Sequence, residues 1–236
     1  MTTFSFKRSA AILQKDYKDV SKNLFVSSSA LMPLIIAALY GRFGVETVNE
    51  HYLVFNMVFC LVSAYVQCSL IAEEKEKSTL RGLMLSPAST LEILVGKSLL
   101  SLLGTLFIII ICAFLTEYLP KNPLVIAISI IISTFFYIGL GTLLGLMTKS
   151  VMEASVIILP FIFIFSFGDF LTAFSDRYPF LKVAEFMPNS QLITLANEVQ
   201  LGANLIDVWS NLAIILIWVA VVFIFVIFVY RKRMMD

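Results

Sequence analysis

Six stretches of this chain run for at least fifteen residues without an Asp, Glu, Lys or Arg, at 23–41, 51–72, 98–116, 122–148, 154–168 and 208–230. A bilayer core offers no water to the backbone, so a segment crossing it must satisfy its own N–H and C=O groups, and a helix does so. A crossing takes about 20 mostly apolar residues. Five of the stretches are long enough alone. The run at 154–168 covers about 22 Å as a helix at 1.5 Å per residue, and reaches further only through Asp169 into Phe170 and Leu171. The composition points the same way, with 59% hydrophobic residues, 14% charged and a mean hydropathy of +0.93. So few charges could not cover a water-soluble surface. A cytosolic enzyme, a disordered chain and a secreted disulfide scaffold are all excluded.

The expected fold is an all-α membrane protein, a single transmembrane domain over 1–236 with six transmembrane helices at about 23–42, 51–72, 94–116, 123–147, 154–171 and 208–230. The fifth is the least regular. With both termini inside, 13 of the 17 Lys and Arg residues fall on the cytoplasmic side, whereas the 16 acidic residues divide evenly. That asymmetry is the positive-inside pattern. Residues 1–22 mix Phe4, Phe6, Ile12, Leu13 and Tyr17 with five basic residues, and read as an amphipathic helix lying in the inner interface. A cleavable signal peptide is not expected, because that stretch lacks an apolar core segment. Residues 172–207, with Pro179 and Pro188, form a short external helical or re-entrant segment between spans five and six. Arg231-Lys232-Arg233 anchors the last span.

Several kinds of chemistry lack their residues. Cys60, Cys68 and Cys112 all lie in apolar runs and read as small buried hydrophobes. One histidine, His51, stands at a span edge, so no His-rich metal site is expected and no metal or catalytic residue is assigned. Gly96-Lys97-Ser98 resembles the end of a phosphate loop, but Leu91 occupies the position that needs glycine. The chain is therefore not expected to be an enzyme or to carry a cofactor of its own. Inside the spans, Asp169 is the sole acidic candidate, and its position near the outer end of span five also fits an interface carboxylate. Asn56 and Gln67 in span two could line a polar path or bond between helices. Gly139, Gly141 and Gly145 have the small-residue spacing of close helix packing. Pro33 and Pro160 each remove a backbone donor and kink their helix.

The cytoplasmic stretch 73–92 is the most informative. Its first half alternates charge, from Glu73 to Lys77, and its second half places Leu80, Leu83 and Met84 at helical spacing. Pro87 disfavours helix at Ser86. Ser89 or Thr90 can cap the next helix, with Glu92 in its first turn. A short amphipathic helix across the inner mouth has two physical uses, docking in a partner's groove or resting in the lipid interface.

Glu74, Glu76, Thr79, Leu80, Leu83, Ser86 and Pro87, followed by Glu92-Ile93-Leu94 and Gly96-Lys97, resemble the signature of type-2 ABC transporter permeases. Ser78 and Arg81-Gly82 depart from it. The resemblance implies a coupling helix between spans two and three that docks on a cytoplasmic ABC ATPase subunit. Leu80, Leu83 and Met84 would be its apolar surface, and Glu74 and Glu76 its polar contacts. It further implies a second permease chain, identical or related, ATP and Mg held by the partner, and a bacterial plasma-membrane location with export as the direction. Asn56, Gln67, Pro160 and Asp169 are then the candidate lining of the path. The scarcity of charge in the spans favours a lipophilic or amphipathic cargo such as a peptide, drug or lipid-like molecule, and involves no nucleic acid. Two other classes stay open, an ATP-independent secondary transporter or channel, and a non-transporting immunity or assembly factor.

Overall fold

The computed structural model describes residues 5–77, 90–168 and 178–235, and these are helical with no strand. The helices are α1 (Phe6–Lys22), α2 (Leu24–Ser28), α3 (Leu31–Phe43), α4 (Val48–Glu76), α5 (Thr90–Leu115), α6 (Pro123–Met147), α7 (Val151–Ile157), α8 (Leu159–Ser166), α9 (Pro188–Leu201) and α10 (Trp209–Met235). A 3₁₀ segment, Pro179–Phe186, precedes α9. Five of these pieces are long and apolar enough to cross a membrane: Val26–Phe43, Val48–Glu76, Val95–Leu115, Pro123–Met147 and Trp209–Arg231. The expected fifth span differs. Val151–Ser166 is apolar but only about 24 Å long, and it breaks at Ile158. Pro160 sits at the start of α8, where a missing N–H costs nothing, so the chain restarts a helix there instead of continuing one. Residues 169–171, through which that span was extended, lie outside the described residues.

Polar groups set the helix starts. Glu50 accepts from the amides of Thr47 and Glu46 at 3.1 and 3.0 Å and closes a capping box at the head of α4. Ser150 accepts from the Glu153 amide at the head of α7. Gly202 ends α9 with φ of 109°, a conformation that suits glycine.

Helix α4 forms the centre, buried through its middle from Val54 to Ala72, and α6 lies beside it. Midway, α4 widens into a π turn at Phe59–Ala64, all of it buried. Such turns mark places where a helix adapts to a neighbour or a function. Here Gly141 of α6 abuts the turn so closely that a Cβ would stand 2.2 Å from the Ala64 carbonyl oxygen. Gly145 meets the Cys68 carbonyl in the same way, and Gly139 faces Val222 of α10. The Phe59 and Tyr137 rings stack at 5.0 Å, with Phe136, Phe165 and Trp218 edge-on around them. Helices α3, α5 and α10 form the outer ring and turn apolar faces outward. That is the arrangement expected where the surroundings are hydrocarbon. Helix α9 is built into the fold, since Leu192, Leu195, Ala196 and Val199 are fully buried and the helix packs on α4, α6 and α10. Trp218 donates from Nε1 to the Phe186 carbonyl at 2.8 Å, and Asn197 donates to Asn49 at 3.0 Å, pinning both ends.

Candidate functional site

The C-terminal end of α4 leads straight into the 78–89 stretch, and its last turn is tied to four helices, α1, α5, α6 and α7. Glu74 points inward, with 3% of the residue exposed. Its Oε1 accepts from Lys15 of α1 at 2.7 Å and lies 2.9 Å from Nζ of Lys97 on α5. Lys75 donates to the carbonyls of Leu146 (2.7 Å) and Thr148, at the C-terminal end of α6. A cation there also meets the negative end of the helix dipole. Glu76 accepts from the Val151 amide at 2.9 Å, at the positive end of α7.

Helix α1 is held against α5 at both ends. Arg8 and Glu92 pair at 2.9 Å, and Glu92 is fully buried. The Ser5 amide donates to the same carboxylate oxygen at 2.5 Å. One turn on, Ile12 lies on Gly96, where a Cβ would come within 2.9 Å of the Ile12 Cβ. Then Asp16 sits 3.5 Å from Lys97 and 3.8 Å from Lys15. Asp16 and Lys97 are each 1% exposed. Isolated charges at that depth would be very costly. Two buried carboxylates (Asp16, Glu74) face two ammonium groups (Lys15, Lys97), and Asp19 adds a third carboxylate 3.6 Å from Lys15. Burial raises the Asp16 carboxyl above its ordinary value, Lys97 and Lys15 pull it back, and Glu74 adds to the rise. Burial works against the charge of Lys15, but the hydrogen bond and charge of Glu74 outweigh it and raise the ammonium.

The geometry gives Lys97 and Gly96 a role that the sequence reading missed. The tripeptide that mimics a phosphate loop is the seat of α1, with glycine admitting the helix and lysine completing the charge cluster. A signal was present in the spacing. Arg8 and Lys15-Asp16 stand about two helical turns apart on α1, and Glu92 and Lys97 offer matching charges in α5. Glu74 also faces inward to that cluster, not outward to solvent.

The remaining candidates separate. Thr79, Leu80, Leu83, Met84, Ser86 and Pro87, and Asp169, lie outside the described residues. Gln67 is fully buried with both ends of its amide bonded, donating to Thr142 of α6 at 3.1 Å and accepting from Ser101 of α5 at 2.8 Å. It joins three spans, with its nitrogen and its oxygen each engaged by a neighbouring helix. Asn56 is 1% exposed, and its amide has no partner among the described residues. Pro160 is exposed on the outer face of α8. Among the described residues no group of His, Cys, Asp and Glu is arranged to hold a metal.

Comparison with known proteins adds the family. A search of curated proteins found no match to the chain. A family model described as "ABC-2 family transporter protein" matches residues 7–228, from the head of α1 nearly to the end of α10. With a match over almost the whole chain on a multi-pass helical fold, this protein belongs to the ABC-2 family of transporter proteins.

Proposed function

We propose that the chain is the permease subunit of an ATP-binding-cassette exporter that moves a lipophilic or amphipathic substrate, driven by a separate ATPase. Membrane subunits of this family work with ATPase partners in general. Two permease chains would make the membrane core, flanked by two ATPases that hold ATP and Mg. The supporting observation is the wiring of Glu74, Lys75 and Glu76 to α1 and α5, to α6 and to α7. The Glu74–Lys97 pair also joins the two helices that flank the 78–89 stretch. A force applied there would reach four helices together, as a coupling element requires. Leu80, Leu83 and Met84 would supply the docking surface, and Glu74 would hold the base of the stretch in place.

The spans then shift between two packings that open the path alternately inward and outward. The positive-inside bias puts the termini and this base in the cytoplasm. The test is Leu80→Asp and Leu83→Asp in the full complex. Each substitution places a carboxylate in an apolar contact, and the expected result is loss of ATP-dependent transport by at least tenfold, with the permease still folded and inserted. Transport at the wild-type rate would overturn the assignment of the coupling segment.

A further inference from the structure

A cavity of about 240 Å³ opens between the outer part of α4, the end of α8 and α9. Tyr40, Leu53, Asn56, Ser166 and Ile193 contribute to its wall. Asn56 stands eight residues along α4 from Val48, about 12 Å below the head of that helix at 1.5 Å per residue. The charge bias puts that head on the external side. Both the nitrogen and the oxygen of its amide are buried and lack a hydrogen-bond partner among the described residues. A second orphan lies close by. Asn189, in the first turn of α9, is fully buried and unpaired at both ends among the described residues. It packs against Gly168, where a Cβ would approach its Nδ2 to 2.3 Å, two residues past the cavity-lining Ser166. The Ser166 hydroxyl has the Cys60 thiol beside it.

Burying an amide without partners is costly, and folds avoid it. The same helix shows how it is avoided. Eleven residues beyond Asn56, Gln67 has its oxygen and its nitrogen both bonded. An amide left unpaired on one span and satisfied on another turn of it is a group held for something that comes and goes.

We propose that this cavity binds an uncharged amide-bearing part of the substrate, of the kind a peptide backbone presents. The assignment rests on the permease reading and narrows its substrate class. A carboxamide donates and accepts at once, and a peptide unit returns both bonds. Among the described residues no Lys or Arg lines the cavity to attract a carboxylate or phosphate. The one lining acid among the described residues, Glu50, is engaged by the amides of Thr47 and Glu46 at the rim. The volume equals roughly eight waters at about 30 Å³ each, room for one or two residues of peptide.

The test uses the full chain in lipid nanodiscs without any ATPase, and reads its thermal unfolding midpoint. The probe is N-acetyl-leucyl-leucinamide, and the control is its ester counterpart, in which oxygen replaces the backbone N–H groups. The wild-type midpoint rises saturably with the peptide and needs at least tenfold more of the ester. Asn56→Leu, which removes the orphan amide, unfolds at a higher temperature without probe and no longer responds to it. Asn56→Ala, with less bulk to accommodate, also loses the response. An equal response of the wild type to both probes, or to neither, overturns the proposal. So does a retained response in either variant, or a lower midpoint for Asn56→Leu without probe. Because no ATPase enters the measurement, this result stands apart from whether the chain assembles with one.

Discussion

Lys97 shows how much one side chain can decide in an apolar fold. It is among the largest fully buried side chains and the only cation within reach of Asp16 other than the half-exposed Lys15 among the described residues. Lys97→Met would leave Asp16 and Glu74 facing each other with one partner lost. Breaking a buried pair from one side costs about 3–5 kcal/mol. The sign of its pH dependence follows from Asp16. Its folded pKa is raised above the ordinary 3.8, with burial the first cause. Its contribution to stability is therefore complete below that value and is lost as the pH rises through the folded pKa. Removing Lys97 takes away the cation that opposes the rise, so protonation of Asp16 relieves more in the variant than in the wild type. Thermal unfolding in mild detergent at pH 5 and pH 8 checks this, with a larger loss of midpoint expected for Lys97→Met at pH 8. Equal losses at the two pH values would show that the charge of Asp16 does not matter to the fold.

At the scale of elements, α1 is a structural member and not a loose interfacial helix. Its seat on α5 depends on Gly96, because any larger side chain must displace Ile12 or the Ser9 carbonyl. Gly96→Val should therefore detach α1 while leaving the five long helices assembled. Trypsin, which cuts at Arg8, Lys15 and Lys18, reads the detachment. Cleavage is expected at least tenfold faster than in the wild type. Unchanged cleavage in Gly96→Val would mean that the charge pairs alone hold the helix. The long helices were legible because an uncharged run of about 20 residues has few other uses. The π turn in α4 was not, since Phe59–Ala64 carries no residue that breaks a helix and the turn answers to the contact with Gly141. The break at Ile158 was legible only as a proline, Pro160, and not as the division into α7 and α8. The burial of α9 depends on α4, α6 and α10 and so on contacts far apart in sequence. Of the site, the charged run 73–77 was plain to read, but its partners in α1, α6 and α7 lie elsewhere in the chain.

Among the described residues α4 is buried through its middle with α6 beside it, α3, α5 and α10 turn apolar faces outward, and one end of α4 gathers charge while the other half keeps unpaired amides near it. This division suits a machine powered from one side that handles its cargo on the other. The proposed function makes one chain half of such a machine, so the central claim concerns assembly. The most direct measurement is the intact mass of the tagged chain, purified in mild detergent from its native cells. The account predicts a complex of two permease chains with two ATPase subunits, the permeases identical or paired with a relative. A chain that emerges alone, even after gentle extraction and crosslinking, would contradict it.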